Sequence, residues 1–112
     1  MNIQIFGTKK CFDTKKAERY FKERNIKYSF RDMKEKGISK GELNNIKNSV
    51  SLNELINVKA KGYKKSNLDQ IRSSEMKLEL LLKDQSLINT PIVRNRKDAT
   101  VGYKPEVWKE WE

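Results

Sequence analysis

The chain has no histidine, one cysteine (Cys11) and only two prolines in 112 residues. Without an imidazole, Ser-His-Asp and Cys-His nucleophilic catalysis are excluded, and the commonest metal ligand is missing. One thiol can build neither an internal disulfide framework nor a cysteine-based zinc site. No stretch approaches the roughly 18 apolar residues that a membrane helix needs, and residues 1–6 lack the basic region and long apolar core of a secretion signal. The expectation is one domain over residues 1–112, with no membrane partner and a cytoplasmic location.

Charge is plentiful: 25 Lys and Arg against 15 Asp and Glu give a net charge of +10. Nineteen of these cations are lysines, and the six arginines (Arg19, Arg24, Arg31, Arg72, Arg94, Arg96) are scattered. Base readers and phosphate clamps use the bidentate fork of arginine, whereas dispersed lysine solvates a surface. The distribution therefore argues against specific nucleic-acid binding.

Ile3 and Ile5 alternate with Asn2 and Gln4, which is strand patterning, and a polar loop from Gly7 to Asp13 follows. From Thr14 the period becomes helical, with Ala17, Tyr20 and Phe21 on one face, ending near Asn25. Tyr28 and Phe30 then alternate with polar neighbours as a second strand, so the first thirty residues read as a β-α-β unit with parallel strands. Ser39 with Glu42 and Ser51 with Glu54 mark helix starts. Leu43, Ile46 and Val50 form one apolar stripe, and Leu52, Leu55 and Ile56 the next. Residues 57–65 look like a basic connection, and short helices are expected around Leu68 to Ile71 and Glu75 to Lys83, the second burying Leu78, Leu80, Leu81 and Leu82. A strand over residues 91–94, a polar turn and a return strand over residues 100–103 precede a terminal helix. That helix opens at Pro105 and carries Val107, Trp108 and Trp111, which read as a packing face.

Cys11 falls between a strand end and a helix start, where unpaired backbone N–H groups and the helix dipole favour an anion. Lys9, Lys10, Lys15 and Lys16 add positive potential against the single nearby acid Asp13, so the thiol pKa is expected to move down and the thiolate to be the nucleophile. Thr14, three residues on, can donate its hydroxyl to that sulfur or cap the helix.

The run Thr8-Lys9-Lys10-Cys11-Phe12-Asp13-Thr14-Lys15-Lys16-Ala17 after a short strand resembles the active-site loop of the ArsC/Spx family, whose pattern is Cys, two residues, Ser, Thr or Cys, then Arg or Lys. Similar stretches are Arg31-Asp32-Met33 leading to Ser39-Lys40-Gly41-Glu42-Leu43, then Leu87-Ile88-Asn89-Thr90-Pro91-Ile92-Val93, and Val101-Gly102-Tyr103, so the likeness spans essentially the whole chain. It implies an α/β, thioredoxin-like (glutaredoxin-type) mixed sheet with an N-terminal β-α-β unit, a helical middle insertion and a C-terminal β-β-α unit.

The resemblance also implies a thiol function at Cys11. That function would be arsenate reduction with glutathione and glutaredoxin, glutaredoxin-like exchange with glutathione, a thioredoxin-type protein or another protein thiol, or, in the Spx branch, binding to the RNA polymerase α-subunit. Family arsenate reductases hold the oxyanion with three arginines, and the matching positions here fall at Thr90, near Tyr103 and near Asn57. Lys9, Lys15, Lys59, Arg94 and Arg96 are the cations available in their place, but each lost hydrogen bond to a charged group is worth roughly 1.5–3 kcal/mol, and a lysine does not reproduce a planar fork. Thr14 also removes the Cys-x-x-Cys switch of the Spx branch.

The expected activity is thus monothiol exchange without a bound cofactor. Cys11 would be the nucleophile, with Thr14 and Lys15 supporting its thiolate. Lys9, Lys10, Lys59, Thr90, Pro91 and Arg94 are the candidates for binding the partner, and Pro91 resembles the cis proline beside the reactive cysteine of thioredoxin-like proteins.

Overall fold

Alternation in Ile3-Gln4-Ile5-Phe6 is realised as one of the two inner strands of a four-stranded sheet. The computed structural model describes Met1–Glu112. It contains β1 (Ile3–Gly7), α1 (Phe12–Glu23), β2 (Tyr28–Asp32), α2 (Lys40–Lys47), α3 (Leu52–Leu55), α4 (Tyr63–Ser66), α5 (Ser74–Lys83), β3 (Ile92–Asn95), β4 (Asp98–Val101) and α6 (Pro105–Trp111). The strand order is β2-β1-β3-β4, with β1 parallel to β2 and antiparallel to β3, and β3 antiparallel to β4. The fold is therefore α/β and thioredoxin-like, with the β-α-β, helical and β-β-α segments in the expected order. No helix is long and apolar enough to cross a membrane.

The pleat sends successive side chains to opposite sides of the sheet, and each side has its own core. Ile3, Ile5 and Val93 meet Ala17, Tyr20 and Phe21 of α1 and Trp108 of α6. Phe6, Ile92 and Ala99 point the other way, into a larger aliphatic cluster that includes Leu43, Ile46, Leu55, Leu81 and Leu87. Trp108 is fully buried, and its indole N–H donates to Thr100 Oγ1 at 2.8 Å, so the polar atom of the largest core side chain is satisfied.

Two local signals in the sequence are met in full. Ser39 and Glu42 form a reciprocal capping box at α2. Ser51 Oγ accepts from Glu54 N at 3.2 Å at α3. Glu42 also accepts from Arg31 at 2.6 Å, tying α2 to β2. Burial pushes the Glu42 carboxyl up, but its bonds from Arg31 and Ser39 outweigh that and hold it below the usual range.

Other expectations are corrected. α1 begins at Phe12 rather than Thr14, because Cys11 is extended (φ −80°, ψ 120°) and the helix follows it at once; Asp13 in that first turn suits the helix dipole. A single turn, α4, forms inside the basic connection and is ended by Asn67 at φ 58°. Leu78 and Leu81 are buried as expected, but Leu80 and Leu82 are only half-buried, since α5 turns a single face to the core. β4 stops at Val101, because Gly102 at φ 86° turns the chain and donates its N–H to Pro91 O at 2.8 Å.

Candidate functional site

The site forms where β1 ends and β3 begins. β3 runs antiparallel to β1 with Ile92 opposite Phe6, so the residues entering β3, Thr90 and Pro91, arrive beside the loop that leaves Gly7. The Thr90-Pro91 bond is cis. Backbone bonds Asn57 N to Leu87 O (2.7 Å) and Asn89 N to Leu55 O (2.8 Å) fasten this approach to the middle helices. The Asn89 side chain adds donations to Glu54 O (2.8 Å) and Ile56 O (3.0 Å). On the other side, Cys11 N donates to Thr8 O at 3.2 Å, closing the loop, and Cys11 occupies the N-cap of α1 without a side-chain capping bond. The result is a half-buried thiol whose Sγ donates to Thr90 O at 3.6 Å across 79 residues of sequence.

Thr14 lies one turn into α1 and is almost completely buried, 1% exposed, yet its Oγ1 has no hydrogen-bond partner. Gly7 explains how it fits. A Cβ at Gly7 would collide with Thr14 Oγ1 and would lie 2.7 Å from its Cγ2, so only glycine lets α1 come this close to β1. Partial burial pushes the Cys11 thiol up, but hydrogen bonds from the side chains of Thr14 and Thr90 and from the backbone N–H groups of Thr14 and Asp13 outweigh it, and the net shift is downward. While the sulfur carries its proton toward Thr90 O, the Thr14 hydroxyl is idle. On ionisation it gains an acceptor. The helix N-terminus and one buried hydroxyl are thus matched to the thiolate rather than the thiol.

Two grooves meet at Thr90. One, of about 420 Å³, is lined by Asp13, Val50, Glu54, Thr100, Val101 and Lys104 among others. The second, of about 300 Å³, is lined by Thr8, Met33, Lys34, Asn57, Gln85 and Ser86 along with Thr90. The fold therefore brings together Cys11, Thr14, Thr90 and Pro91. Lys9 and Lys10 are exposed on the loop before the sulfur. Lys15 is aimed elsewhere, its ammonium 5.7 Å from the centre of the Phe12 ring, and the lowering of the Cys11 pKa comes from hydrogen bonds. Lys59 is exposed, with its N–H donating to Asn57 Oδ1. Arg94 sits farther along β3, opposite Gln4, with its guanidinium 5.9 Å from the Phe6 ring centre. Tyr103 stacks edge-on against Trp108 at 5.5 Å, under Lys16.

Sequence reasoning missed two contributors, Gly7 and Phe12, and met a third, Asn57, only as a position where the resemblance expects an arginine. Gly7 was readable only as a loop residue, although a glycine closing a strand just before a helix signals close approach. Asn57 lines the second groove directly, and no local pattern marks it. Phe12 is 79% exposed, and an aromatic residue inside a run of charged ones is the signal that was present.

A thioredoxin-like sheet with one cysteine capping its first helix and a proline-containing segment against the sulfur defines a class of thiol-bearing α/β proteins. The ArsC family model matches residues 6–111, and the chain belongs to the ArsC family. It is 26% identical to the global transcriptional regulator Spx 2 of Oceanobacillus iheyensis over 129 aligned positions, covering 100% of this chain and 94% of that protein. Its fold is also that of an arsenate reductase from Vibrio cholerae (TM-score 0.88, 22% identity, 98% and 97% of the two chains). A protein from Bacteroides fragilis described as ArsC family related matches at TM-score 0.89, with 24% identity and 100% and 98% coverage.

Proposed function

We propose that this protein is a cytoplasmic monothiol oxidoreductase that exchanges disulfides through Cys11. The observation that carries the reading is the half-buried sulfur at the α1 N-terminus, with its pKa lowered and a buried, otherwise idle Thr14 hydroxyl beside it. The Cys11 thiolate attacks one sulfur of a disulfide, a Cys11 mixed disulfide forms, and the other sulfur leaves as a thiolate with the electron pair. An external thiolate, from glutathione or a glutaredoxin- or thioredoxin-type protein, then attacks the mixed disulfide and restores Cys11, because the chain has no second cysteine. Thr14 supports the thiolate in each half-reaction, and the half-buried Thr90, where the two grooves meet beside the buried Pro91, aligns the partner. Lys9, Lys10 and Lys59 supply positive potential around the approach. The test is the rate of alkylation against pH: a midpoint clearly below about 8.5 is expected, and one at or above it removes the chemical basis.

The second reading is an Spx-like regulator that binds the RNA polymerase α-subunit, favoured by the whole-chain similarity to Spx 2. Cys11→Ser separates the two: retained α-subunit binding supports the regulator, and lost disulfide exchange supports the thiol reading. Arsenate reduction ranks third, since Asn57, Thr90 and Tyr103 provide no guanidinium and Arg94 is turned to Phe6.

A further inference from the structure

Phe12 is a large apolar side chain left in water beside the reactive atom. At 79% exposure it is the barest of the five exposed large hydrophobics, and it directly follows Cys11. The buried residues of α1 are Thr14, Ala17, Tyr20 and Phe21, so Phe12 lies off the stripe that packs on the sheet. Lys9 and Lys10 precede it in the loop and Lys15 follows it one turn into α1, all exposed, with the Lys15 ammonium 5.7 Å from the centre of the ring. None of these lysines is in an ion pair, since the two salt bridges of the fold use Arg24 and Arg31. Asp13, in the first turn of α1, is the one acid next to them.

We infer that Phe12 with Lys9, Lys10 and Lys15 forms a docking collar that selects a protein partner presenting its disulfide on an acidic surface with an apolar side chain beside the sulfur. The inference rests on the proposed thiol exchange at Cys11 and names its partner class. The chemistry of recognition follows from the collar itself. Three lysines against the single acid Asp13 leave a net positive charge, which speeds encounter with an acidic surface and repels a basic one, and the ring supplies the apolar anchor around which such contacts concentrate. The buried, unpartnered Thr14 hydroxyl, one of the groups that lower the Cys11 pKa, keeps the thiolate available at the centre of the collar.

The test uses two peptides, each with one cysteine held as a mixed disulfide with thionitrobenzoate. One carries leucine next to the cysteine and glutamates around it; its twin has lysines for the glutamates. The Cys11 thiolate attacks the peptide sulfur, the Cys11–peptide disulfide forms, and thionitrobenzoate leaves with the electron pair as a coloured thiolate. The acidic peptide is expected to react at least about tenfold faster at low salt, with the preference shrinking as salt rises. Phe12→Ala should slow the acidic peptide several-fold, and the double variant K9E/K10E should reverse the preference. Equal rates for the twins, or an acidic-peptide rate indifferent to Phe12→Ala, overturns the collar. Iodoacetamide, neutral and small, reports the sulfur alone: a wild-type rate that titrates like free cysteine overturns the thiol reading instead, so the two failures are distinguishable.

Discussion

The two ends of α1 are built on opposite principles. At its C-terminal half, Tyr20 and Phe21 each pack against Trp108 at 5.2 Å between ring centres, and the Tyr20 hydroxyl donates to Glu112 at 3.2 Å. Arg24 lies 3.9 Å above the Tyr20 ring and pairs with Glu112 at 3.7 Å. At its N-terminal end the reverse holds: Cys11 makes no capping bond, Thr14 Oγ1 has no partner, and Phe12 is bare. Polar groups are satisfied where the helix must stay put and left uncommitted where a thiolate can use them. The comparison teaches that the locked end holds the helix in register so that the open end can be preorganised without its own network.

The comparison breaks most severely at Trp108. Trp108→Ala removes the ring that both core aromatics rest on and orphans Thr100 Oγ1, so a loss of about 3–5 kcal/mol in denaturant unfolding is expected. Next is Gly7→Ala, which drives a methyl into Thr14; a loss of about 1–3 kcal/mol should accompany an upward move of the Cys11 titration, read by alkylation. A stability loss with unchanged titration would mean that Thr14 does not support the sulfur.

Thr14→Val sharpens the contrast because it separates reactivity from stability. Removing an unpaired buried hydroxyl should leave stability nearly unchanged. Losing its bond to the thiolate should raise the Cys11 pKa and so slow alkylation near neutrality. Thr14→Ser should restore the rate. The sign follows from linkage: a thiol whose folded pKa lies below its unfolded value adds stability above the unfolded value, and that increment fades as pH falls through the folded one. Thr14→Val should therefore shrink the high-pH gain in stability. The smallest effect is expected for Arg24→Ala, whose partly exposed pair with Glu112 is worth under about 1 kcal/mol; a larger loss by thermal unfolding would show that stacking on Tyr20, not charge, holds that end.

Much of this was legible in residues close in sequence. The capping signal of Ser39 and Glu42, the apolar period of Ala17, Tyr20 and Phe21, and the packing role of Trp108 depend on neighbours within a turn or two, and each is found in the fold. The loop around Cys11 and the downward direction of its pKa were also readable, because helix ends carry unpaired N–H groups whatever the tertiary context. Lys15 and Arg94 were harder. A flexible cation goes to whatever aromatic face or carboxylate packing places within reach, and here those were Phe12 and Phe6.

The sequence by itself determined the elements, the division of apolar residues between faces and the chemical limit of one thiol with no imidazole, because these depend on composition and on steric and hydrophobic periods local to the chain. Only the tertiary structure decided that Thr90 would meet Cys11, that Gly7 would admit Thr14, and that Asn57 would enter the groove. Those contacts join residues far apart in sequence, and they are set by how the sheet is ordered and how closely a helix can approach it.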